Sequence, residues 1–99
     1  MKPHEHVILE VARERERQMA VEGWTAEHDD THSCGELAEA AACYAAPAPH
    51  GVRPLSVEPP NLWPWSREWW KPKDRRRNLV RACALIVAEI ERLDRQTGK

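Results

Sequence analysis

The sequence predicts a small all-α domain, and three observations lead to this fold class. Apolar residues recur at helical spacing in three separate stretches, over about 4–22, 34–46 and 74–95. No stretch alternates convincingly between apolar and polar residues, although 52–57 could form a short extended piece. The chain has 99 residues, enough for one modest core. We therefore expect a single domain over 1–99, with three helices and with oligomerisation completing the core.

The first predicted helix has one apolar side and one charged side. Ile8, Val11 and Met19 lie along the apolar side. Arg15 is four residues from both Val11 and Met19, so it falls close to the apolar stripe. Either its aliphatic stem packs while its head reaches water, or the side chain faces inward and binds an anion.

The second predicted helix begins near Cys34, where Ser33 and Glu36 have the spacing of a capping box. An alanine-rich run follows, and Pro47 ends it. Small residues in this run would let another helix approach closely. The apolar residues that share one face are Leu37, Ala40, Ala41 and Tyr44.

The third predicted helix carries the strongest periodic signal in the chain. Its apolar stripe consists of Leu79, Val80, Cys83, Ile86, Val87, Ile90 and Leu93. We expect this stripe to form the centre of the core. Cys43 and Cys83 occupy apolar helix positions, so we expect both to be small core residues rather than reactive thiols.

Composition and charge restrict the function classes. A formal net charge of -1 gives no overall field that would recruit a nucleic acid polymer or an acidic membrane. The three cysteines form neither a CxxC pair nor an even set of disulfides. The N-terminus lacks the apolar segment of a signal peptide. We expect a reduced, cytoplasmic protein without a membrane span.

The connection between the second and third predicted helices, residues 47–72, is the most distinctive part of the chain. It contains seven of the eight prolines and four of the five tryptophans. A connection of this length is usually functional or disordered, and its aromatic content argues against disorder. Its tryptophans are Trp63, Trp65, Trp69 and Trp70, and the cations that follow include Lys73, Arg76 and Arg77.

These side chains together indicate a nucleotide-binding pocket. A base can stack on an indole ring while phosphate groups bind arginine and lysine side chains at the start of a helix, where free backbone N–H groups also favour anions. Two alternatives stay open. The tryptophans could cover an undersized core, or they could be the anchors of a protein interface.

A polar cluster precedes the second predicted helix. His28, Asp30, His32 and Glu36 are candidate ligands of a divalent metal, although their spacing matches no common metal motif. The alternative is a polar helix start whose carboxylates interact with the helix dipole. If this segment folds over the tryptophans, the first three residues would bind a ribose or a base, together with Trp24. We expect no organic cofactor, and a metal at this cluster stays open.

Several motifs together resemble a group of small phage and prophage proteins of unassigned activity, and the similarity spans most of the chain. The similar stretches are Glu22-Gly23-Trp24-Thr25, Glu27-His28-Asp29-Asp30, Gly35-Glu36-Leu37-Ala38, Ala40 to Ala45, Trp63-Pro64-Trp65 and Ala88 to Asp94. The resemblance implies a phage protein in the host cytoplasm. Such proteins commonly counter host defences, for instance by binding an immune nucleotide signal without cleaving it. This is the function that we expect, in a homo-oligomer.

A partial resemblance points to all-α NTP pyrophosphohydrolases of the MazG type, and it rests on the six residues from Gly35 to Ala40. In those enzymes an E-E-x-x-E helix and an E-x-x-D helix bind magnesium. This chain has His32 and Ser33 where the paired glutamates are expected. Arg75 and Asn78 stand in place of the acidic pair. The resemblance implies a degenerate nucleotide pyrophosphohydrolase as one alternative function, and a protein inhibitor of a host defence complex is another.

Overall fold

A computed structural model describes residues 1–46 and 59–97. Within these two ranges the chain forms four α-helices and one turn of 3-10 helix, and no strand. The α-helices are α1 (Pro3–Ala20), α2 (Ala26–Asp30), α3 (Glu36–Ala45) and α4 (Arg75–Gln96), and the 3-10 turn is Arg67–Trp69. The prediction of an all-α domain is confirmed, with α2 as a helix beyond the three predicted. The extended piece considered for 52–57 lies outside the described residues.

Side-chain caps start two of the helices. Asp74 accepts a hydrogen bond from the backbone N–H of Arg77 and so caps α4 at a distance of 2.8 Å. The hydroxyl of Thr25 accepts one from the backbone N–H of His28 at 3.3 Å and caps α2. The polar segment predicted as a loop before the second helix therefore contains a short helix of its own. None of the helices within 1–46 and 59–97 is long and apolar enough to cross a bilayer.

The start of α3 differs from the predicted capping box. Gly35 is the N-cap residue and has a φ of 88°, a conformation that glycine adopts without strain. The carboxylate of Glu36 accepts a hydrogen bond from the backbone N–H of Cys34 at 2.7 Å. Ser33 therefore does not cap the helix, because the chain turns at Gly35 instead.

The core lies between α3 and α4, and two tryptophans complete it. The predicted apolar face of α3 is buried, and Cys43 is buried beside it, as expected. The facing residues of α4 include two alanines, which let the helices approach closely. The cluster consists of Trp24, Leu37, Ala40, Ala41, Cys43, Tyr44, Trp63, Ala82, Leu85 and Ala88.

α4 turns a different face to the core from the one predicted. Val80 is the one buried residue of the predicted stripe, whereas Cys83 and the five large aliphatic residues are exposed. The buried face is centred on Leu85 and includes Arg81 and Arg92. The prediction that the stripe forms the core is wrong. The alanine-rich face fits closely against α3, and the arginines beside it find carboxylate and carbonyl partners.

α1 packs on α4 through charged side chains rather than through its apolar side. Glu14, Arg15 and Gln18 are its buried residues, whereas Ile8 and Met19 are exposed. The carboxylate of Glu14 accepts hydrogen bonds from the guanidinium of Arg17 at 2.8 and 2.9 Å, and it also pairs with an arginine of α4. Charged groups can be buried in this way when each of them is paired.

Candidate ligand-binding site

A cleft of about 450 Å³ opens between α2 and the tryptophan-rich connection. Aromatic and imidazole rings form most of its wall, with a few polar atoms among them, and its volume is within the usual range for small-molecule sites. We call it the aromatic cleft. It is lined by Glu22, Trp24, His28, His32, Pro64, Trp65, Ser66 and Trp69.

The turn after α1 places Trp24 against His28. Gly23 has a φ of 77°, and the backbone N–H of Trp24 donates to the carbonyl of Gln18 at 3.0 Å. α2 then carries His28 about one turn further along the chain. Its imidazole ring stacks on the indole of Trp24, with ring centroids 6.1 Å apart and 7° between the planes. Trp24 itself is buried, so it forms the inner wall of the cleft.

His28 and His32 are hydrogen-bonded to each other. Their Nε2 atoms are 3.3 Å apart, so one ring donates and the other accepts. The Nδ1 atom of His28 lies 3.2 Å from Oδ1 of Asp29, and that of His32 lies 3.7 Å from Oε2 of Glu36. The contact with Asp29 orients the His28 ring, and the hydrogen bond between the two Nε2 atoms orients the His32 ring against it. The pair is thus a fixed part of the cleft wall.

The predicted metal candidates do not converge on one point. Asp30 binds Arg95 instead, with Oδ1 2.8 Å from Nη2. Backbone hydrogen bonds at the start of α3 lower the pKa of Glu36, and its carboxylate also accepts from the backbone of Cys34. Over residues 1–46 and 59–97, no three histidine, cysteine, aspartate or glutamate side chains form a group that could hold a metal ion.

Two of the four predicted tryptophans serve the core rather than the cleft. Trp63 is buried, and its indole N–H donates to the carbonyl of Ser66 at 3.1 Å. Trp70 stacks on Tyr44, with ring centroids 4.8 Å apart. Trp63 meets the same tyrosine edge to face at 5.6 Å. For these two rings, the interpretation that tryptophans cover a small core describes the contacts.

Trp65 and Trp69 line the aromatic cleft. The Trp65 ring lies 5.5 Å from that of Trp24 and 5.1 Å from that of His32. Its Nε1 atom is buried and has no hydrogen-bond partner in the described part of the chain, so an acceptor is missing there. Trp69 is 39% exposed, and the ammonium of Lys71 is 5.3 Å from its ring centroid. The Trp65 ring forms the floor of the cleft, and the Trp69 ring is accessible from solvent.

A second concavity, of about 550 Å³, lies at the N-terminal end of α4. We call it the cationic cavity, and it is lined by Pro72, Lys73, Asp74, Arg77 and Arg81. Arg77 pairs with the buried carboxylate of Glu14. Arg81 is 8% exposed, and its Nε atom is buried without a partner among the described residues. The lining therefore carries three cationic side chains and one carboxylate.

Lys71 lies between the cleft and the cavity and contacts both linings. Its ammonium is 3.0 Å from Oε1 of Glu22 and lies over the Trp69 ring, and both residues line the aromatic cleft. Its carbonyl accepts a hydrogen bond from Arg81, which lines the cationic cavity. Its backbone N–H donates to the hydroxyl of Tyr44 at 3.1 Å, which ties this residue to the core.

Arg15 faces inward, but carboxylates of the protein already bind it. Its Nη2 atom is 2.8 Å from Oδ2 of Asp29, and its Nε atom is 2.8 Å from Oε1 of Glu91. Nη1 donates to the carbonyl of Trp24 at 3.2 Å. Arg15 thus lines neither concavity and holds α2 and the inner wall of the cleft in place.

Arg76 is a second predicted arginine that lies elsewhere, and the charged lining residues Arg81 and Glu22 are not among the predicted site residues. Arg76 makes two hydrogen bonds of 2.7 Å to the carboxylate of Glu10 and lies outside the cationic cavity. Arg81 was missed because its neighbours in the sequence are apolar. Glu22 was missed because its place in the cleft depends on the turn at Gly23.

No protein-family model matches the chain, and no curated protein or solved structure is significantly similar to it.

Proposed function

We propose that this protein binds a small phosphorylated nucleotide, with the base and ribose in the aromatic cleft and the phosphate groups at the cationic cavity. The observation that carries the proposal is the pairing of two neighbouring concavities of opposite character, one lined by aromatic rings and one by cations, with Lys71 in contact with both. A nucleotide is divided in the same way, because its base is a flat aromatic ring and its phosphate groups, at the other end, are anionic.

The aromatic cleft suits the nucleoside end. Trp69 offers an accessible face for stacking, which contributes about 1 to 3 kcal/mol per base in comparable sites. The histidine pair and the carboxylate of Glu22 can exchange hydrogen bonds with ribose hydroxyls and base edges. The negative charge of Glu22 also disfavours a phosphate group in this cleft, so it orients the ligand.

The cationic cavity suits the phosphate end. In the described part of the chain no carboxylate pairs with the ammonium of Lys73, so it is free to meet an anion. The guanidinium of Arg81 lies deeper in the lining and is only partly hydrogen-bonded. Arginine and lysine form charge-assisted bonds to phosphate, and the N-terminal end of α4 adds its partial positive charge.

Capture of an intact ligand is the activity that we propose. In the phage setting implied by the resemblance, binding alone would remove an immune nucleotide signal from the host cytoplasm. Such a protein needs affinity and no bond-breaking step. Recovery of the bound compound by mass spectrometry, unchanged after incubation with magnesium, is the expected result. Cleavage under these conditions would support the degenerate pyrophosphohydrolase instead.

Calorimetric titration tests the cleft. Folded protein is titrated with AMP, ADP, a cyclic dinucleotide and a ligand of the cyclic ADP-ribose type, and at least one is expected to bind. Trp69→Ala should weaken that binding roughly tenfold or more, because the stacking surface is lost. Leu62→Ala is the matched control, since Leu62 is exposed on the same connection and lies outside the cleft lining. If none of these compounds binds to the folded protein, the proposal is refuted.

A comparison of nucleoside with nucleotide tests the cationic cavity. Lys73→Ala should weaken binding of the phosphorylated ligand and leave binding of the corresponding nucleoside unchanged. Arg13→Ala controls for the loss of a positive charge, because Arg13 is exposed on α1 and lines neither concavity. Equal affinity for nucleoside and nucleotide would show that phosphate is not recognised in the cavity.

A further inference from the structure

One side of α4 carries an exposed apolar stripe, formed by Leu79, Cys83, Ile86, Ile90 and Leu93. Its four aliphatic residues are between 39% and 52% exposed, and Cys83 is exposed with them. Successive members are four, three, four and three residues apart, which is the spacing of a seam between two packed helices. The stripe extends over more than half the length of α4.

The other two sides of α4 are covered within the chain. α3 packs on the face centred on Leu85, and α1 packs on the side that carries Arg77 and Glu91. At 3.6 residues per turn the stripe lies roughly 120° around the helix from Leu85. The chain thus buries carboxylates and guanidiniums while it leaves its strongest row of aliphatic side chains in contact with water. An apolar row of this kind marks an interaction surface.

We infer that a second copy of this chain covers the stripe, with the two α4 helices antiparallel and crossing near Ile86. A twofold axis at that point brings the stripe of one copy onto the stripe of the other, so a single surface serves both partners. No charged residue interrupts the row between Leu79 and Leu93 at the stripe positions. Both apolar surfaces would then leave water together.

The charges that flank the stripe determine the direction. Arg75, which donates to two backbone carbonyls, and Arg76, which is paired with Glu10, stand on either side of its N-terminal end, and Asp94 stands beside its C-terminal end. The carboxylate of Asp94 has no ion pair within the described ranges. An antiparallel arrangement brings these arginines towards the Asp94 of the other copy and opposes the two helix dipoles. A parallel arrangement would place arginine beside arginine at one end and Asp94 beside Asp94 at the other.

This interface is separate from the proposed ligand site. Arg77 and Arg81 leave α4 on the side opposite to the stripe, at roughly 160° or more from its centre. The dimer therefore leaves the cationic cavity open, and loss of the dimer leaves its lining intact. Failure of nucleotide binding and failure of self-association would be distinct results.

Sedimentation equilibrium of the purified chain tests self-association. The wild-type protein is expected to be a dimer, and Ile90→Lys is expected to weaken the dimer by tenfold or more, because a lysine in the seam must lose water. Val21→Lys is the matched control, since Val21 is an exposed aliphatic residue outside α4. Both variants should keep the wild-type helical circular dichroism. A wild-type protein that is monomeric at all concentrations, or a dimer that Ile90→Lys leaves unchanged, would overturn the inference.

Variants that carry one cysteine on the exposed stripe test the direction, and all of them retain the buried Cys43. In a background with Cys34→Ser and Cys83→Ser, Ile86→Cys should form an intermolecular disulfide on mild oxidation, because it is near the crossing point. Leu79→Cys should not, because antiparallel helices hold the two copies of this residue about 20 Å apart, far beyond disulfide reach. A rapid disulfide at Leu79→Cys would establish a parallel pair and overturn the antiparallel assignment.

Discussion

Asp29 and Asp30 are neighbours in α2, but they have very different surroundings. Asp29 is fully buried and pairs with the buried Arg15, whereas the side chains of Asp30 and Arg95 are 51% and 33% exposed. Removal of one partner from a buried pair leaves an uncompensated charge and costs about 3 to 5 kcal/mol. Exposed pairs contribute about 0 to 1 kcal/mol. Burial therefore determines how much each carboxylate contributes to the free energy of unfolding.

We predict that Asp29→Asn lowers the free energy of unfolding by about 3 kcal/mol, and that Asp30→Asn lowers it by no more than about 1 kcal/mol. Urea unfolding followed by tryptophan fluorescence measures both values. The two substitutions are chemically identical and one position apart, so each serves as the control of the other. Equal losses would mean that the Arg15 pair does not hold α2 on the bundle.

Glu14 makes stability depend on acidic pH. Burial opposes ionisation of this carboxylate, but the hydrogen bond from Arg17 and the charges of Arg17, Arg77 and Arg81 outweigh burial and lower the pKa of Glu14 below its ordinary value of 4.5. A carboxylate whose pKa is lower in the folded state than in the unfolded chain stabilises the folded state at pH values above its ordinary pKa. This contribution is lost as the pH falls from the ordinary pKa to the lowered one, because over that interval the unfolded chain binds the proton more tightly than the folded protein does.

We therefore predict that the wild-type free energy of unfolding declines as the pH falls below about 4.5, and that Glu14→Gln declines less over the same interval. Urea unfolding at pH values from 7 to 3 gives both curves. Glu16→Gln should follow the wild-type curve, because Glu16 is exposed on the same helix. Parallel curves for the wild type and Glu14→Gln would contradict the assignment of the acid sensitivity to Glu14.

At the residue scale, the sequence located the rings of the cleft better than the charges around it. Trp65, Trp69, His28 and His32 were selected for their ring chemistry, and the fold brings all four together. The inward position of Arg15 was foreseen as an alternative from its place near an apolar stripe. The partners of Arg15 could not be predicted, because they come from α2 and α4 and pairing between distant helices leaves no local pattern in the sequence.

At the element scale, the positions of the long helices were predictable but the buried face of α4 was not. Periodicity indicated the stretch 74–95, and α4 spans Arg75–Gln96. Its sequence has two faces that can be buried, an aliphatic one and an alanine-rich one centred on Leu85. The choice depends on α1, whose buried side is charged and pairs with arginines. Periodicity identifies the residues that share a face, and it does not identify which face the fold buries.

The capped start of α4 provides a test at this scale. Asp74 caps the helix and is also the one carboxylate in the lining of the cationic cavity. Asparagine caps a helix as well as aspartate does, so we predict that Asp74→Asn leaves the free energy of unfolding nearly unchanged. It should strengthen binding of a phosphorylated ligand several-fold, because a repulsive charge is removed. Titration of the wild type and variant measures this, and weaker binding by the variant would argue against phosphate in the cavity.

At the scale of the whole molecule, polar and apolar groups are distributed in an unusual way. Ion pairs join α1 and α2 to α4, a small alanine-rich core joins α3 to α4, and most of the large aliphatic side chains of α4 are exposed. A single copy therefore gains less from burial of apolar surface than its composition allows. Self-association through the α4 stripe would recover this contribution, because the same side chains would leave water at the interface.

The stability of the protein should then depend on its concentration. For a dimer whose unfolding is coupled to dissociation, a tenfold increase in protein concentration raises the apparent stability of the folded state by about 1.4 kcal/mol of dimer. We predict that the midpoint of thermal unfolding rises over a hundredfold range of wild-type concentration, and that the midpoint of Ile90→Lys is lower than that of the wild type at each concentration. Differential scanning calorimetry at several concentrations measures both. A wild-type midpoint that does not move would mean that the bundle is as stable alone as in a pair, with its aliphatic stripe permanently in water.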